Sequence, residues 1–313
     1  MMEPPNEESP SGAPSATRCG VIAIIGTPNA GKSTLVNALV GAKVTIVSRK
    51  VQTTRVQIRG IATEGASQLV LIDTPGIFAP KRRLDRAMVA SAWAGATDAD
   101  RVLLLVDAAK GVDEEVESLV ARLAEHVKDC ILVLNKVDRV EDKSRLLALV
   151  EDLSKRLTLE RVFMVSALTG DGVAELKRYL AERVPEGPWL YPEDELSDIP
   201  LRQLAAEVTR EKIYNLMHDE LPYQMTVETE SWKELRDKSV RVEQTIYVTR
   251  DSHKAMVLGK GGQTVKRISQ DSRKELMDIV GVPIHLFLFV KVREGWDRDP
   301  ARYREMGLEF PKD

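Results

Sequence analysis

Short apolar runs and amphipathic segments alternate along the first 184 residues of the chain. Apolar runs of this length predict strands, whereas segments with apolar residues every three or four positions predict helices. The predicted strands cover 21–25, 56–61, 68–72, 101–106, 131–134 and 161–165, and the predicted helices cover 35–40, 81–97, 112–127, 143–157 and 173–183. This order predicts an α/β fold with a doubly wound, mostly parallel sheet, whose ligand lies at the carboxyl ends of the strands.

The pattern breaks at residues 185–192, where three of eight residues are prolines, and acidic residues follow to Asp198. Composition of this kind marks a linker between domains. Beyond it the order becomes helix, strand and strand, then a helix interrupted by glycines and a last strand, which predicts a smaller α+β domain. We therefore expect a disordered extension (1–17), a first domain (18–184), a linker (185–200), a second domain (201–296) and a terminal helix or tail (297–313).

The composition argues against secreted and membrane-spanning proteins, but it does not decide whether the chain binds nucleic acid. The 45 basic residues nearly balance the 48 acidic ones, so a nucleic-acid surface would have to be a local patch. Two cysteines, Cys19 and Cys130, make a disulfide framework improbable and favour a reducing compartment such as the cytoplasm. The first 18 residues are acidic and rich in Pro and Ser, unlike a signal peptide, and no apolar run is long enough to cross a bilayer.

A glycine-rich stretch joins the first predicted strand to the first predicted helix and matches the pattern G-x-x-x-x-G-K-[ST]. Without Cβ atoms, Gly26 and Gly31 allow a tight turn that aims backbone N–H groups at a polyphosphate. Lys32 would reach the β- and γ-phosphates, and the Ser33 hydroxyl would bind Mg²⁺. The alternative is an ordinary turn between a strand and a helix. It would have to match the eight-position pattern by chance, between a predicted strand and a predicted helix. The residues assigned to this loop are Gly26, Thr27, Pro28, Asn29, Ala30, Gly31, Lys32, Ser33 and Thr34.

The polar segment 48–55 has no clean periodicity and suits a mobile switch. In phosphate-loop GTPases a threonine at this place reaches Mg²⁺ and the γ-phosphate. By that resemblance Thr54 is the first choice and Thr53 the second. The alternative is that the segment 48–55 is an ordinary polar loop. Its position between the phosphate loop and the next motif argues against that alternative.

The strand 68–72 leads into the sequence Asp73-Thr74-Pro75-Gly76. Asp73 could hold Mg²⁺ through water, and the Gly76 N–H could bond the γ-phosphate. Ile77 stands where many small GTPases carry a glutamine that orients the attacking water, so we expect slow hydrolysis without stimulation. The predicted metal residues are thus Ser33, Thr54 and Asp73, and the predicted catalytic residues are Lys32, Thr54 and Gly76.

The next two strand ends carry residues that select the base. Asn135-Lys136-Val137-Asp138 follows a strand, and the Asp138 carboxylate can accept from N1–H and the 2-amino group of guanine, neither of which adenine presents. Asn135 would tie the base site to the phosphate loop, and the Lys136 stem would cover one face of the ring. After the last strand come Ser166, Ala167 and Leu168, where the Ala167 N–H could donate to guanine O6.

A basic patch lies in the second domain. Residues 250–274 contain seven basic side chains and two acidic ones around the interruption Gly259-Lys260-Gly261-Gly262. Two helix termini flanking such a turn fit the GXXG loop of a KH domain, which clamps about four nucleotides of single-stranded RNA. A second anion loop or a solvated basic helix is the alternative. The predicted RNA-binding residues are Lys254, Gly259, Lys260, Gly261, Gly262, Lys266 and Arg267.

Together these motifs resemble the Era family of bacterial GTPases, a P-loop GTPase domain followed by a type II KH domain. The resemblance covers about residues 18–300 and includes Pro192-Glu193-Asp194 and Glu220-Leu221-Pro222-Tyr223. It implies binding of GTP or GDP with Mg²⁺, and binding of the 3′ end of small-subunit (16S) ribosomal RNA in GTP-gated assembly of the 30S subunit. It also implies a monomer with peripheral attachment to the inner membrane. Asn29 resembles the asparagine that helps some GTPases bind an activating K⁺.

Two other classes of function stay open at this point. The chain could be chiefly an RNA chaperone whose hydrolysis is incidental, or a GTPase whose C-terminal module faces a protein. Two features depart from the family pattern: the acidic extension, and Lys260-Gly261 at the two variable positions of the GXXG loop. The Lys260-Gly261 pair adds a positive charge and leaves the glycines that clamp the RNA unchanged. His253 is expected to be a polar residue at a helix start, not a metal ligand.

Overall fold

The computed structural model describes residues 16–48, 50, 53–55, 57–80, 82–217, 221–295 and 299–311. Most of the predicted N-terminal extension lies outside these residues, as do residues 49, 51 and 52 of the predicted switch, residue 220 of the Glu-Leu-Pro-Tyr motif, and residues 296–298, where the predicted tail begins.

The first domain contains six strands and five helices among its described residues. The strands are β1 (Arg18–Ile25), β2 (Ile58–Glu64), β3 (Ser67–Asp73), β4 (Arg101–Asp107), β5 (Cys130–Asn135) and β6 (Leu159–Met164). The helices are α1 (Lys32–Val40), α2 (Arg83–Thr97), α3 (Glu114–His126), α4 (Ser144–Ser154) and α5 (Val173–Arg183).

These strands form one sheet in the order β2-β3-β1-β4-β5-β6, in which only β2 runs antiparallel to its neighbour. Apolar side chains of α1 and α5 pack on one face of the sheet, and those of α2, α3 and α4 pack on the other. The predicted doubly wound fold is confirmed. The β2–β3 hairpin is longer than predicted, since β2 continues to Glu64 and the chain turns at Gly65 (φ 58°).

Four parallel strands bring the predicted motifs to one edge of this sheet. The chain leaves β1 into the phosphate loop, β3 ends at Asp73, β4 ends at Asp107 and β5 ends at Asn135. Because β3, β1, β4 and β5 are consecutive neighbours, motifs far apart in sequence lie side by side.

The linker runs along the first domain. Gln68 in β3 accepts from the backbone N–H groups of Leu190 and Tyr191, and the Trp189 indole donates to the Ala66 carbonyl. The Ile61 N–H donates to the Leu196 carbonyl at 2.9 Å. The proline-rich composition therefore corresponds to an extended strap that hydrogen-bonds to the domain before it.

The second domain contains α6 (Leu201–Leu216), β7 (Met225–Glu234), β8 (Val240–Val248), α7 (Asp251–Leu258), α8 (Gln263–Val280) and β9 (Ile284–Val292). Its sheet has the order β7-β8-β9, with β8 and β9 parallel. Side chains of α6, α7 and α8 pack on one face of it. The predicted α+β domain is confirmed.

The chain then returns to the first domain. Helix α9 (Pro300–Glu305) carries Tyr303, which with Leu308 packs on Ala87 and Met88 of α2. Among residues 299–311, the predicted tail is thus a packed segment. None of the helices that the structure describes is long and apolar enough to span a bilayer.

Candidate functional site

The phosphate loop leaves β1 and enters α1 through two residues in the left-handed region, Asn29 (φ 63°) and Gly31 (φ 102°). A Cβ on Gly31 would lie 2.3 Å from Asn135 Nδ2, and one on Gly26 would lie 2.5 Å from the Leu105 carbonyl oxygen. Both positions therefore require glycine. The loop ends at the N-terminus of α1, whose first N–H groups have no partner within the helix and suit an anion.

Lys32 lies across the inside of this loop. Its side chain is buried, and Nζ donates to the carbonyl oxygens of Gly26 and Thr27, both at 3.0 Å. Burial lowers the pKa of Lys32 to about 8, although the nearby Asp73 carboxylate opposes this shift. A buried ammonium bonded only to neutral carbonyls would be stabilised by an anion, such as a phosphate group, at the loop.

The three predicted metal residues come together. Asp73 is fully buried, and its Oδ2 accepts from Ser33 Oγ at 2.7 Å and from Thr54 Oγ1 at 3.2 Å. The hydroxyls of Ser33 and Thr54 are 3.0 Å apart. The second choice, Thr53, donates instead to the Lys50 carbonyl. Thr45 Oγ1 also donates to Asp73 Oδ2, at 2.7 Å.

This group of oxygens fits a magnesium ion. Burial raises the pKa of Asp73, against the opposing effect of the hydroxyl donors and Lys32. The second carboxylate oxygen, Oδ1, is buried and has no hydrogen-bond partner among the described residues. A hard divalent cation takes oxygen ligands and would satisfy that atom.

Thr45 was missed in the sequence because it lies inside the apolar run Val44-Thr45-Ile46-Val47, which gives no signal of a site.

The loop after β3 packs against the phosphate loop. Thr74 Oγ1 donates to the Ile24 carbonyl at 2.7 Å, and the Ile77 N–H donates to the Gly26 carbonyl at 3.1 Å. A Cβ on Gly76 would lie 3.0 Å from atoms of Pro28. The Ile77 side chain is buried in the core with Val89 and Trp93 of α2. It therefore points away from the loop and cannot contact a water there.

Asn135 joins the two halves of the predicted base site. Its Nδ2 donates to the Ala30 carbonyl at 2.9 Å, and its Oδ1 accepts from the Ala167 N–H at 3.0 Å. This bond modifies the role predicted for Ala167, because its N–H already has an acceptor, and donation to guanine O6 would require that bond to be shared or given up. Asp138 and Leu168 are both exposed.

Lys136 is fixed by a residue that the sequence reading missed. Its Nζ donates to the Asn29 carbonyl and to Asp107 Oδ2, both at 2.6 Å. Asp107 also accepts from the Ala109 N–H at 3.1 Å, so it holds both a side chain and a turn. Asp107 comes at the end of a strand predicted to be buried and parallel, where ligands bind in folds of this class, so the sequence did contain a signal for it.

The glycine loop of the second domain joins α7 to α8. Gly261 (φ 61°) and Gly262 (φ 75°) lie in the left-handed region, and a Cβ on Gly259 would lie 2.0 Å from Thr264 Oγ1. The Lys260 side chain is exposed beside them, as are those of Lys266 and Arg267 at the start of α8, whereas Lys254 in α7 is half-buried. The basic residues thus surround a backbone turn that a phosphodiester chain can approach.

His253 is buried at the start of α7 and is held on both ring nitrogens. Arg250 Nε donates to its Nε2 at 2.7 Å, and its Nδ1 lies 2.9 Å from Thr249 Oγ1. Burial, together with the Arg250 charge, lowers the pKa of His253. The ring therefore has a structural role, as expected from the sequence.

Comparison with known proteins covers both domains. A family model described as a 50S ribosome-binding GTPase matches residues 21–136, and a KH domain model matches residues 220–297. The chain is 63% identical over 306 residues to the GTPase Era of Bradyrhizobium diazoefficiens, covering 98% of this chain and 99% of that protein. It is 58% identical over 309 residues to the GTPase Era of Brucella suis, with the same coverage.

Two solved structures share the whole architecture. One is Era in complex with MgGDPNP and nucleotides 1506–1542 of 16S ribosomal RNA, and the other is an Aquifex aeolicus Era variant bound to GDP·AlF4−. Each has a TM-score of 0.86 and 36% sequence identity, covering 93% of this chain and 99% of the solved chain.

Proposed function

The chain belongs to the Era family of GTPases, and from that premise we propose that it is a GTP-hydrolysing switch that binds the 3′ end of 16S ribosomal RNA through its KH domain and acts in assembly of the 30S ribosomal subunit. The observation that carries the proposal is that a glycine loop beside the buried, hydroxyl-bonded Asp73 and a second, basic glycine loop occur together in a chain whose likeness to an RNA-bound Era structure covers 93% of its length.

The nucleotide contacts follow from the site. The N–H groups at the start of α1 and the Lys32 ammonium would bind the phosphates, and the Gly76 N–H would bond the γ-phosphate. Asp138 would accept from N1–H and the 2-amino group of guanine. Ser33, Thr54 and Asp73 would hold Mg²⁺, which when bound neutralises charge on the phosphate oxygens.

Asp138 gives the test of base selection. Asp138→Asn should move the preference from guanosine toward xanthosine nucleotides, because the amide can donate where the carboxylate only accepts. Competition between GDP and XDP for the full chain measures this, and unchanged selectivity would remove Asp138 from the base site.

Hydrolysis on this site proceeds without help from the Ile77 side chain, which lies in the core. Backbone groups, a cation or a partner would therefore have to position the attacking water. On the resemblance of this loop to potassium-activated GTPases, Asn29 would help to hold a K⁺ ion that activates hydrolysis. Turnover should be faster in potassium than in sodium buffer at equal ionic strength, and equal rates would exclude the assignment.

RNA binding is assigned to Lys254, Lys260, Lys266 and Arg267 around the backbone of the glycine loop. Each phosphate contact releases a counterion, so the affinity for RNA should fall steeply as salt rises.

A paired substitution separates RNA binding from nucleotide binding. Replacing Lys260 and Gly261 with Asp should abolish binding to an RNA with the sequence of the small-subunit 3′ end, while GDP affinity stays unchanged. Asp138→Asn serves as the opposite control, since it should alter base selection and leave binding of the RNA by the nucleotide-free protein intact. Retained RNA affinity in the loop variant would exclude the KH assignment.

Two further properties rest on the family alone: a monomeric state, and peripheral attachment to the cytoplasmic side of the inner membrane. Light scattering of the full chain and co-sedimentation with anionic vesicles test them.

A further inference from the structure

The segment 43–55, which follows α1, contacts the metal site from two positions. Thr45 Oγ1 and Thr54 Oγ1 both donate to Asp73 Oδ2, at 2.7 and 3.2 Å. Of this segment the structure describes residues 43–48, 50 and 53–55. The backbone of Val44 and Thr45 is bonded to the Asn37 side chain of α1. On either side of the metal site the segment also makes contacts with the second domain.

The first of these contacts involves Glu211 in α6. Lys43 Nζ binds both oxygens of this carboxylate at 2.8 Å, and the Val47 N–H donates to its Oε1 at 2.7 Å. The Glu211 side chain is 4% exposed. Burial alone would raise its pKa, but Lys43 and the other donors hold the pKa of Glu211 below its ordinary value. Residues 43 and 47 thus face the second domain, while Thr45 between them faces Asp73.

The second contact involves Arg55, the residue after Thr54. The Arg55 residue is 3% exposed and lies inside the second domain. Its Nη1 donates to the Met225 carbonyl at 2.8 Å, and its Nη2 donates to Tyr214 Oη at 3.0 Å and to the Pro222 carbonyl at 3.1 Å.

The backbone before Thr54 is held from the same side. Arg210 Nη2 in α6 donates to the Thr53 carbonyl. Both neighbours of Thr54 are therefore bonded to the second domain, and these bonds restrict where its hydroxyl can lie.

A buried guanidinium is stable only while its donors are satisfied. The Arg55 guanidinium is such a group, because the residue is 3% exposed and its donors bond to the second domain. The hydrogen bonds to Met225, Tyr214 and Pro222 join Arg55 to the second domain, so separation of the domains would break them and release Thr54 together with Arg55. The same separation would remove Glu211 from Lys43 and from the Val47 N–H, at the Thr45 end.

We propose that the KH domain is a structural part of the GTPase site, with Arg55 and Glu211 as positioning residues that hold Thr54 and Thr45 at the magnesium site. This inference rests on the proposed function, because it takes Ser33, Thr54 and Asp73 as the metal residues. Arg55 follows Thr54 in the chain, and Glu211 bonds to residues 43 and 47 on either side of Thr45, so both act through the threonines.

The arrangement also connects the metal site to the RNA loop. Helix α8 begins at that loop and carries Glu275, which pairs with both Lys43 and Lys212. Any movement of α8 when RNA binds would act on Lys43 and so on the threonine beside it. Coupling of this kind is reciprocal for binding free energies.

The test is the Mg²⁺ dependence of GTP hydrolysis by the full chain. Arg55→Ala and the milder Glu211→Gln should each raise the Mg²⁺ concentration for half-maximal activity, by about fivefold or more. At saturating Mg²⁺ the KM for GTP should change little, because the phosphate loop and base site are intact. Thermal unfolding of each variant shows that it is folded.

Arg202→Ala is the matched control. Arg202 also lies in α6 and donates through Nη2 to the carbonyls of Thr229 and Glu230, both at 2.9 Å and both in its own domain. This variant removes from the same helix an arginine that bonds within its own domain, so its Mg²⁺ dependence should stay that of the parent chain.

A Thr54→Ala background separates the possible failures. If Arg55 acts through Thr54, Arg55→Ala should add no further shift to a chain that already lacks the Thr54 hydroxyl. If Thr54→Ala shifts the Mg²⁺ dependence but Arg55→Ala and Glu211→Gln do not, the inference is overturned while the metal site stands. If Thr54→Ala itself has no effect, the metal assignment fails, and the inference fails with it.

Discussion

Lys32 and Asp73 are opposite charges buried at one edge of the sheet, each with its pKa displaced by burial. Such groups are costly in an isolated fold and are typical of sites that bind a charged ligand. A phosphate beside Lys32 and a cation beside Asp73 would each supply the missing charge. The burial of these two residues is therefore a direct physical argument for a nucleotide with its metal ion.

The pKa of Lys32 predicts proton uptake on nucleotide binding. In the free protein this pKa is about 8, so near pH 8 about half the molecules carry a neutral Lys32. The phosphates favour the charged form, so binding should take up roughly half a proton at pH 8 and almost none at pH 7, and affinity should fall as pH rises above 8. Calorimetric titration with GDP in buffers of different ionisation enthalpy measures the uptake. Equal enthalpies in those buffers at pH 8 would contradict the prediction.

A side chain at position 31 should weaken GDP binding for steric reasons, and Gly41 at the other end of α1 provides the control. Gly31→Ala places a Cβ 2.3 Å from Asn135 Nδ2, which displaces the loop or the asparagine, so GDP affinity should fall by about tenfold or more. Gly41 at the C-terminus of α1 also has a positive φ (81°), but a Cβ there meets nothing within 4 Å. Gly41→Ala should therefore cost about 1–2 kcal/mol of stability and leave GDP affinity unchanged. Fluorescence titration compares the two, and equal losses would show that strain, not the contact with Asn135, is responsible.

The site residues that could be predicted from the sequence are those that belong to a motif of fixed spacing. Site residues outside such motifs were missed. Lys32, Ser33, Asp73 and Asn135 could be predicted because each motif fixes both residue type and position. Thr45 could not, because it lies in an irregular segment that reaches Asp73 only in the folded chain. Asp107 was missed although its place at the end of β4 was a signal, because its partner Lys136 comes from the neighbouring strand end.

Both polar contacts and apolar packing hold the helices α7 and α8 in place. The His253 ring accepts from Arg250 Nε and thus places the Arg250 side chain at the start of α7, and Val257 and Ile268 anchor the two helices in the core. These contacts leave the glycine loop as the exposed part of the hairpin. The sequence predicted a helix on either side of the glycine interruption 259–262, and the structure has α7 ending at Leu258 and α8 beginning at Gln263.

His253 predicts a loss of stability in acid. Its pKa is lowered in the folded chain, so between that pKa and the ordinary value near 6.5 the unfolded state binds more protons. This contribution to stability is complete above about pH 6.5 and decreases as pH falls toward the folded-state pKa. Urea unfolding of the parent chain and of His253→Gln, whose amide can also donate and accept, should show a smaller pH dependence for the variant. Identical pH dependence would mean that His253 titrates alike in both states.

On the scale of the whole molecule, the two domains are joined by more than the linker. The second domain contacts the segment 43–55 through α6, and its C-terminal segment packs on α2, the helix that follows the Asp73-Thr74-Pro75-Gly76 loop. No local pattern in the sequence signals these contacts, since they join residues more than 150 positions apart. The domain order was predictable, but the way in which the domains meet was not.

Leu308 tests whether the C-terminal segment contributes to stability. It is 3% exposed against Ala87 and Met88 of α2, so Leu308→Ala should lower the free energy of unfolding by about 2–3 kcal/mol. Leu190→Ala, at a leucine that is 62% exposed, should change it by less than about 0.5 kcal/mol. Urea denaturation measures both. A silent Leu308→Ala would mean that the segment is not packed on α2 in solution.

The central claim is that one chain couples the state of its nucleotide to RNA binding. The most direct measurement is the affinity of the full chain for a short strand with the sequence of the 16S ribosomal RNA 3′ end, in the presence of either GDP or a non-hydrolysable GTP analogue. Because the segment that reaches the metal site is also bonded to the KH domain, we predict tighter binding with the GTP analogue. Equal affinity in the two states would contradict coupling and leave a GTPase and an RNA-binding module that act independently.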